Sequence, residues 1–352
     1  MAYTTIDDPT IYFNTVLYTG DASSPRTISG VGFSPDLVWC KNRTTANDNR
    51  LVDQVRGANK EMSSNRTLAE YSDNSDGNLT SFNSDGFVIT EGSSNINNWN
   101  KDTDSYVAWC WKASGSTASN GSGDITSTVS ANTTAGFSIV SYTGDGNAGA
   151  TVGHGLGSAP SFYVVKTRDS DYDWRAYHKG IGETKYLNLN QNIAVATATN
   201  AWNDTAPTSS VFSLGDGSTV NQNTDNFITY CFAEKQGYSK FGSYNGNGNA
   251  DGAFVYTGFR PAWVMVKKTN GTDHWFIIDN KRTGFNEDNY GLYANLQNAE
   301  YTGTAYQLDI LSNGFKARDT DGMLNGSGDS YIYAAFAEAP FVNSNGVPCN
   351  AR

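Results

Sequence analysis

The sequence repeats one pattern of residues three times, and this internal repeat constrains the fold more than any other feature. Each copy has a proline, five mostly apolar residues and a lysine, at positions 35–41, 160–166 and 261–267. A tyrosine precedes the proline by 17, 18 and 17 residues, at Tyr18, Tyr142 and Tyr244. Twelve residues after the lysines stand Asp53, His178 and Asp279. A repeat of this kind indicates that the chain is built from three similar units.

Each copy ends on an acidic residue followed by an aromatic-rich segment, at 104–111, 225–232 and 329–336. These matches predict repeats bounded at 1–113, 136–236 and 237–342. A repeat of roughly 100 residues has the size of a domain and exceeds the roughly 20–50 residues of a solenoid unit. We therefore predict three tandem domains.

Two further segments are assigned by composition. Residues 114–135 are rich in Ser, Gly and Thr, which is typical of a flexible linker between the first and second repeats. Residues 343–352 carry no pattern and are predicted to be a C-terminal tail.

The composition predicts an all-β fold. Gly (36), Tyr (20) and Phe (17) are abundant, and short runs of β-branched and aromatic residues alternate with Gly, Asn and Asp. Such runs are typical of short strands joined by turns. The strand that ends at each repeated lysine is apolar on both faces, as in a strand covered on both sides. We predict that each repeat is an antiparallel, jelly-roll-like β-sandwich.

Charge and hydropathy argue against several functions. The net charge of −11 repels a phosphate backbone, so we expect no nucleic-acid binding. The sequence has no apolar run near the roughly 18–20 residues of a membrane span, so we expect no membrane insertion. The first residues lack the basic and apolar regions of a signal peptide, so we expect synthesis in the cytoplasm without secretion.

Known catalytic and metal-binding patterns do not stand out. The three histidines, His154, His178 and His274, lie in no nucleophile elbow, zinc helix or P-loop pattern. The four cysteines, Cys40, Cys110, Cys231 and Cys349, show no metal-ligand spacing, and we interpret them as free thiols. We therefore predict no catalytic residues, no enzyme activity and no cofactor.

Acidic residues leave one alternative open. Asp104, Asp225 and Asp329 occur once per repeat before a strand, so we predict that they form turns through local bonds to the backbone. Asn247, Asn249, Asp251 and Gly252 resemble the first half of a calcium loop, but its twelfth position is Gly258 in place of glutamate. Residues 73–77 and 319–322 are similarly incomplete. Turn formation is the preferred interpretation, with calcium binding as the alternative.

Two tryptophans lie apart from the repeated strands. Trp99 and Trp202 stand in Asn-rich, loop-like stretches, whereas Trp39, Trp109, Trp111 and Trp263 occupy repeated strand positions. We predict that Trp99 and Trp202 are exposed and contact a glycan or a protein partner.

Several long stretches resemble a known family. They are residues 1–9, 35–43, 128–144, 153–160, 237–244, 256–261 and 335–341. In these the chain is similar to tandem-domain virion proteins of marine tailed bacteriophages, with lectin-like or jelly-roll domains. The resemblance implies a place on a virus particle among other virion proteins, and by analogy a homo-oligomer.

Two functions of different classes remain open. The first is a tail-fibre or receptor-binding protein that contacts host cell-surface polysaccharide, because loops on rigid β scaffolds suit recognition. The second is a capsid decoration or head-fibre protein with a structural role. A polysaccharide depolymerase is disfavoured, because no carboxylate pair stands out.

Overall fold

The computed structural model describes residues 2–72, 75–93, 98–282, 286 and 290–349. Helix is confined in these residues to a 3-10 turn at Pro9–Ile11 and two short helices, α1 (Thr199–Trp202) and α2 (Ser218–Asn221). The other regular elements are strands, and all the pairs within the sheets are antiparallel. The predicted all-β, sandwich-type fold is confirmed.

Unit 1 is defined here by its seven strands. They are β1 (Phe13–Thr19), β2 (Arg26–Ile28), β3 (Leu37–Asn42), β4 (Arg50–Asp53), β5 (Leu79–Asn83), β6 (Gly86–Ile89) and β7 (Ser105–Trp111). They form a larger sheet of order β1-β7-β3-β4 and a smaller one of order β2-β6-β5.

Unit 2 comprises ten strands. They are β8 (Ala118–Asn120), β9 (Ser127–Asn132), β10 (Phe137–Thr143), β11 (Thr151–Gly153), β12 (Phe162–Thr167), β13 (Arg175–His178), β14 (Lys185–Asn188), β15 (Ala196–Thr197), β16 (Val211–Ser213) and β17 (Asn226–Phe232). The larger sheet has the order β15-β14-β13-β12-β17-β10-β9-β8, and β11 pairs with β16 in the smaller one.

Unit 3 comprises eight strands. They are β18 (Ser239–Asn245), β19 (Phe254–Tyr256), β20 (Phe259–Lys268), β21 (Phe276–Asp279), β22 (Leu292–Tyr293), β23 (Leu308–Leu311), β24 (Gly314–Ala317) and β25 (Ser330–Pro340). The larger sheet has the order β18-β25-β20-β21-β22, and the smaller one β19-β24-β23. We call β1, β10 and β18 the tyrosine strands, β3, β12 and β20 the lysine strands, and β7, β17 and β25 the closing strands, after the repeated residues that they contain. In every unit the closing strand lies between the tyrosine strand and the lysine strand.

The larger sheets are covered on both faces, which explains why the lysine strands are apolar throughout. In β3, Val38 and Cys40 face the interior of unit 1, whereas Leu37 and Trp39 face a second core that all three units share. The shared core contains aromatic residues from each unit, including Trp111, Phe232 and Phe336. Burying one large apolar side chain is worth about 1.5–3 kcal/mol, so this core binds the units strongly together.

The predicted repeats 1–113, 136–236 and 237–342 therefore share one core in addition to the interior core of each unit. The predicted linker is wrong. Within residues 114–135, β8 and β9 extend the larger sheet of unit 2, and Ile125 and Val129 are buried in its interior. Its Ser, Gly and Thr content suggested flexibility, but in β9 Ser127, Val129 and Ser130 are buried and only Thr128 is exposed, so small side chains are enough to cover this strand.

The units contact one another pairwise through three seams, which we call 1/2, 1/3 and 2/3. Residue Asn49, Trp174 or Trp275, eight positions after the repeated lysine, donates across each seam to a backbone carbonyl of the neighbouring unit. Because unit 1 also contacts unit 3, the units close into a ring.

The repeated lysines Lys41, Lys166 and Lys267 are buried beside these seams. Lys41 donates to the Leu296 carbonyl across seam 1/3, at 2.9 Å. Lys267 donates to the Asn192 carbonyl across seam 2/3, at 3.4 Å. Burial lowers the pKa of Lys41 to about 7 and those of Lys166 and Lys267 to about 8. Lys41 and Lys267 thus bond across seams, whereas Lys166 donates to the Thr167 and Ser170 carbonyls of its own unit.

Seams 1/2 and 1/3 contain the same buried ionic network. In seam 1/3, Trp109 of unit 1 donates to Asp279 Oδ2 (2.9 Å), and Arg282 donates to the same oxygen (2.7 Å). Arg282 also bonds Glu300, which Arg43 of unit 1 holds through two hydrogen bonds. In seam 1/2 the corresponding residues are Tyr230, Asp53, Arg56, Glu70 and Arg168.

Among the residues that the structure describes, seam 2/3 has no counterpart of this network. His178 stands in the place of the aspartate, and its Nε2 lies 3.1 Å from the Tyr333 carbonyl oxygen. Ala334, Ile181, Val195 and Thr269 occupy the positions of the aromatic donor, the arginine, the glutamate and the second arginine. All three seams share one backbone hydrogen bond at this place. The Val195 N–H donates to the Thr269 carbonyl in seam 2/3, the Glu70 N–H to the Arg168 carbonyl in seam 1/2, and the Glu300 N–H to the Arg43 carbonyl in seam 1/3.

Candidate binding groove

The residues predicted to make exposed contacts are buried. The indole N–H of Trp99 donates to Glu61 Oε1 (2.6 Å), and that of Trp202 donates to the Lys185 carbonyl (3.0 Å). Both side chains are fully buried within their units, so neither can contact a glycan from solution in this structure. The Asn residues around them suggested a loop surface, but Asn98 and Asn100 are themselves buried.

The three repeated aspartates act differently from the prediction. Asp104 accepts from the side chains of Asn42 and Thr45, and Asp225 accepts from those of Thr167 and Ser170. Asp329 forms an ion pair with Lys268 at 2.7 Å. Each carboxylate therefore ties the start of the closing strand to the end of the lysine strand or to the loop that follows it.

The calcium-like stretch at 247–252 is folded by turn bonds. Asn247 and Asn249 each accept, through a side-chain oxygen, the backbone N–H two residues later. In residues 319–322, Asp319 and Asp321 accept backbone N–H groups in the same way. The part of residues 73–77 that includes Asp73 and Asn74 lies outside the described residues. Within the described part of the chain, no group of three or more His, Cys, Asp or Glu could hold a metal ion.

Histidines and cysteines occupy structural positions. The ring of His154 is buried against the Thr208 carbonyl, and burial lowers its pKa. His178 belongs to seam 2/3, and His274 Nδ1 lies 2.9 Å from Asn295 Nδ2. Cys40, Cys110 and Cys231 are buried free thiols, and Cys349 is partly exposed. Burial raises the pKa of the Cys40 thiol to about 12, so it is protonated at neutral pH.

An open groove on unit 3 is the best candidate for a binding site. We call the side of a unit between its tyrosine strand and the first strand of its smaller sheet the open side. In unit 3 this side lies between β18 and β19, and a groove of about 380 Å³ runs along it. That volume is in the lower part of the range of about 300–1,000 Å³ for ligand pockets.

Aromatic side chains form the β19 wall of the groove. Phe254 is 48% exposed and Tyr256 is 46% exposed, the highest values of any aromatic side chains described. They flank the buried Val255, which pairs with Phe315. In the other units the corresponding pairs are Ile28 with Phe87 and Val152 with Phe212, and they are flanked by Thr, Ser or Gly. The exposed aromatic pair is therefore specific to unit 3.

A glycine on β18 deepens the groove. Gly242 occupies the position of Val16 in unit 1 and Val140 in unit 2. Its cross-strand partner is Tyr333, where those units have Ala108 and Thr229. A Cβ on Gly242 would lie 2.6 Å from the Tyr333 hydroxyl, so the glycine makes room for the ring. Units 1 and 2 thus have valine on the tyrosine strand opposite a small residue on the closing strand, whereas unit 3 has glycine opposite tyrosine.

The groove carries one cation at its rim. The Lys240 ammonium lies 5.3 Å from the centre of the Tyr256 ring, within cation–π range, and has no ion pair in the described residues. Lys179, also at the rim, is paired with Glu234. Burial raises the pKa values of Tyr244 and Tyr333, so both hydroxyls remain protonated near neutral pH. The Tyr244 hydroxyl donates to the Leu324 carbonyl, so the groove offers aromatic surface and a positive charge.

Comparisons with known proteins identify only a family. No curated protein and no solved structure matches the chain. In the described residues, no helix has the length and apolar character needed to span a membrane. One family model, described as a domain of unknown function (DUF7483), matches residues 8–340, which include all three units. The chain belongs to the DUF7483 family.

Proposed function

We propose that the protein is a structural component of a bacteriophage particle, exposed on the particle surface. The observation that carries the proposal is the closure of three β-sandwich units into one ring around a shared aromatic core. Such a ring holds the outer surfaces of its units in fixed relative positions, which a particle protein needs. The resemblance to virion proteins supports the location on a particle.

A non-catalytic role is supported by how the acidic residues are used. Asp53 and Asp279 are buried in ionic networks, and Asp104, Asp225 and Asp329 tie loops to strands. These carboxylates serve the fold, and none of them faces the groove of unit 3.

Receptor binding is the second candidate function, and the groove favours it. Exposed aromatic rings beside a cation suit the stacking of a sugar ring and hydrogen bonding to its hydroxyl groups. Phe254 and Tyr256 would then take the role that the sequence assigns to Trp99 and Trp202. Capsid decoration needs no such groove and remains the alternative within the structural role.

Location on the particle tests the main proposal. Antibodies against the protein, used in immunogold electron microscopy of intact particles, should label their surface. Absence of the protein from purified particles would overturn the proposal. The number of copies per particle separates the variants, because hundreds favour decoration of the head and a few dozen or fewer favour a tail fibre.

A glycan array tests receptor binding. The wild-type protein should bind host polysaccharide, and Phe254→Ala should weaken binding. Tyr172→Ala, which removes a similarly exposed aromatic ring on unit 2, is the matched control and should leave binding unchanged.

A further inference from the structure

The open sides of the three units are closed in three different ways. In unit 2, β9 pairs along β10, and the residues before it cross to β11, where the Ile125 N–H donates to the Thr151 carbonyl. Ile125 and Val129 enter the interior of the unit. A segment of the chain therefore fills this open side.

In unit 1 no chain segment covers the open side in the described residues, and the side chain of Asn14 bonds both of its edges instead. Asn14 Nδ2 donates to the Val31 carbonyl (3.0 Å), and Asn14 Oδ1 accepts the N–H of Thr15 on the free edge of β1 (2.9 Å). Arg26 covers the Tyr18 ring at 5.5 Å. One of the outward N–H groups on the free edge of β1 is thus bonded by a side chain of the same unit.

In its described residues, unit 3 lacks both devices. Only residues 233–238 separate β17 from β18, too few for an arm like the one before β10. Lys240 stands where unit 1 has Asn14, and it points to Tyr256. The groove of unit 3 is thus the unfilled equivalent of the space that residues 118–132 fill in unit 2.

On β18, the peptide groups of Phe241 and Ser243 along this groove have no hydrogen-bond partner in the part of the chain that the structure describes. The Gly246 N–H bonds the Asp329 carbonyl and the Tyr238 carbonyl accepts from Ala337, so even-numbered residues direct their peptide groups toward β25. Phe241 and Ser243 therefore direct theirs outward. The corresponding residues of β10, Ile139 and Ser141, lie opposite β9 residues Ser130 and Thr128.

We propose that the open side of unit 3 binds an extended segment of another polypeptide, which adds as a strand to the free edge of β18. Strand addition satisfies the outward peptide groups, and alternate side chains of the added strand enter the groove. In the register of unit 2, Val129 lies opposite Val140, the position of Gly242, and Ala131 lies opposite Ser138, the position of Lys240.

This register defines the chemistry of the partner. A small or β-branched residue lies opposite Gly242, above the Tyr333 ring, and an acidic residue lies opposite Lys240, where opposite charges on neighbouring strands attract. A second copy of this chain does not offer its own arm, because β8 and β9 are held in its unit 2. The inference concerns the shape of unit 3 and holds wherever the protein works.

The experiment uses the full chain and a peptide as the probe. The peptide contains residues 123–132 with Ala131→Glu, and its binding is measured by fluorescence anisotropy. We expect saturable binding. The same peptide with Ala131→Lys should bind more weakly, because it places a positive charge against Lys240. Failure of both peptides to bind at millimolar concentration, or equal affinity of the two, would overturn the proposal.

Two proline variants test the position of the strand. Ser243→Pro removes an outward N–H from β18, which a free edge tolerates, and should weaken peptide binding about tenfold or more. Leu17→Pro makes the same change at the equivalent place on β1 and should leave the affinity unchanged. Equal effects of the two variants would contradict binding at unit 3.

Two other occupants have distinct signatures. Self-association of the wild type in sedimentation, abolished by Ser243→Pro, would show that a second copy fills the groove and would overturn the proposal. An oligosaccharide bound by both wild type and Ser243→Pro, but lost in Phe254→Ala, would assign the groove to a sugar and overturn it as well. Neither result depends on whether the protein is found on a particle.

Discussion

Seams 1/2 and 1/3 differ from seam 2/3 in the chemistry of their buried contacts. The first two each contain a buried aspartate, two arginines, a glutamate and an aromatic donor, and the aspartates Asp53 and Asp279 are fully buried. In seam 2/3 the five corresponding positions hold His178, which is neutral, and four uncharged side chains. The same geometry is therefore built with and without charge.

The comparison indicates that the residues of the ionic network occur in a seam all together or not at all. A buried ion pair gains little over well-packed apolar residues, but a buried charge that loses its partner is costly. Replacing one member at a time would pass through such states, and in seam 2/3 every member has been replaced. Comparing the two charged seams with seam 2/3 in the same ring therefore tests whether the ionic network stabilises a seam.

The largest effect is expected from Asp279→Ala. The change removes the acceptor of Arg282 Nε, of the Trp109 N–H and of two backbone N–H groups in a buried site, while Arg282 keeps its bond to Glu300. The free energy of unfolding should fall by about 3–5 kcal/mol. Urea denaturation followed by tryptophan fluorescence measures the loss.

The matched control removes the arginine too. Asp279→Ala combined with Arg282→Ile imitates seam 2/3, where Ile181 replaces the arginine, and should lose less stability than Asp279→Ala alone. A double variant less stable than the single one would contradict the view that the seam works equally well without charge.

Acid should affect seam 2/3 through His178. Its Nδ1 accepts the Gly180 N–H (2.9 Å), so the neutral ring donates from Nε2 to the Tyr333 carbonyl. Burial lowers the pKa of His178 to about 4, from 6.5 for the free side chain. The unfolded chain then binds more protons than the folded one between these values, so the stabilisation is lost as pH falls from 6.5 to about 4.

The slope due to this one residue is at most about 1.4 kcal/mol per pH unit. His178→Gln supplies an amide donor that does not titrate, so the difference in unfolding free energy between wild type and variant should depend on pH in that window. A constant difference from pH 4 to 6.5 would rule out a titrating His178.

The repeat allowed much of this fold to be predicted from sequence. The apolar lysine strands and the aromatic closing strands form the larger sheets, and their two-sided apolar character anticipated cover on both faces. The seams could not be predicted, because Trp109 and Asp279 are far apart in sequence and meet only when the ring closes. Composition misled at residues 114–135, where a polar strand resembles a linker.

The groove had a sequence signal that composition alone does not show. Gly242 stands where the other copies have valine, and Tyr333 stands where they have alanine or threonine. Phe254 and Tyr256 lie in a short strand whose counterparts carry small residues outside. The Asn-rich stretches around Trp99 and Trp202, away from the repeated strands, suggested exposure, but each indole N–H has a hydrogen-bond acceptor within its own unit.

The smallest effect expected is that of Tyr230→Phe in seam 1/2. The hydroxyl donates to Asp53 Oδ2 at 2.8 Å, and its removal leaves a buried carboxylate with one donor fewer while Arg56 still holds it. The free energy of unfolding should fall by about 1–2 kcal/mol. Tyr163→Phe is the matched control, because the buried Tyr163 hydroxyl has no hydrogen-bond partner in the described part of the chain and its removal should cost nothing. Equal losses in the two variants, measured by urea denaturation, would mean that the aromatic ring alone contributes to the seam and that seam 1/2 resembles seam 2/3 more closely than its ionic residues suggest.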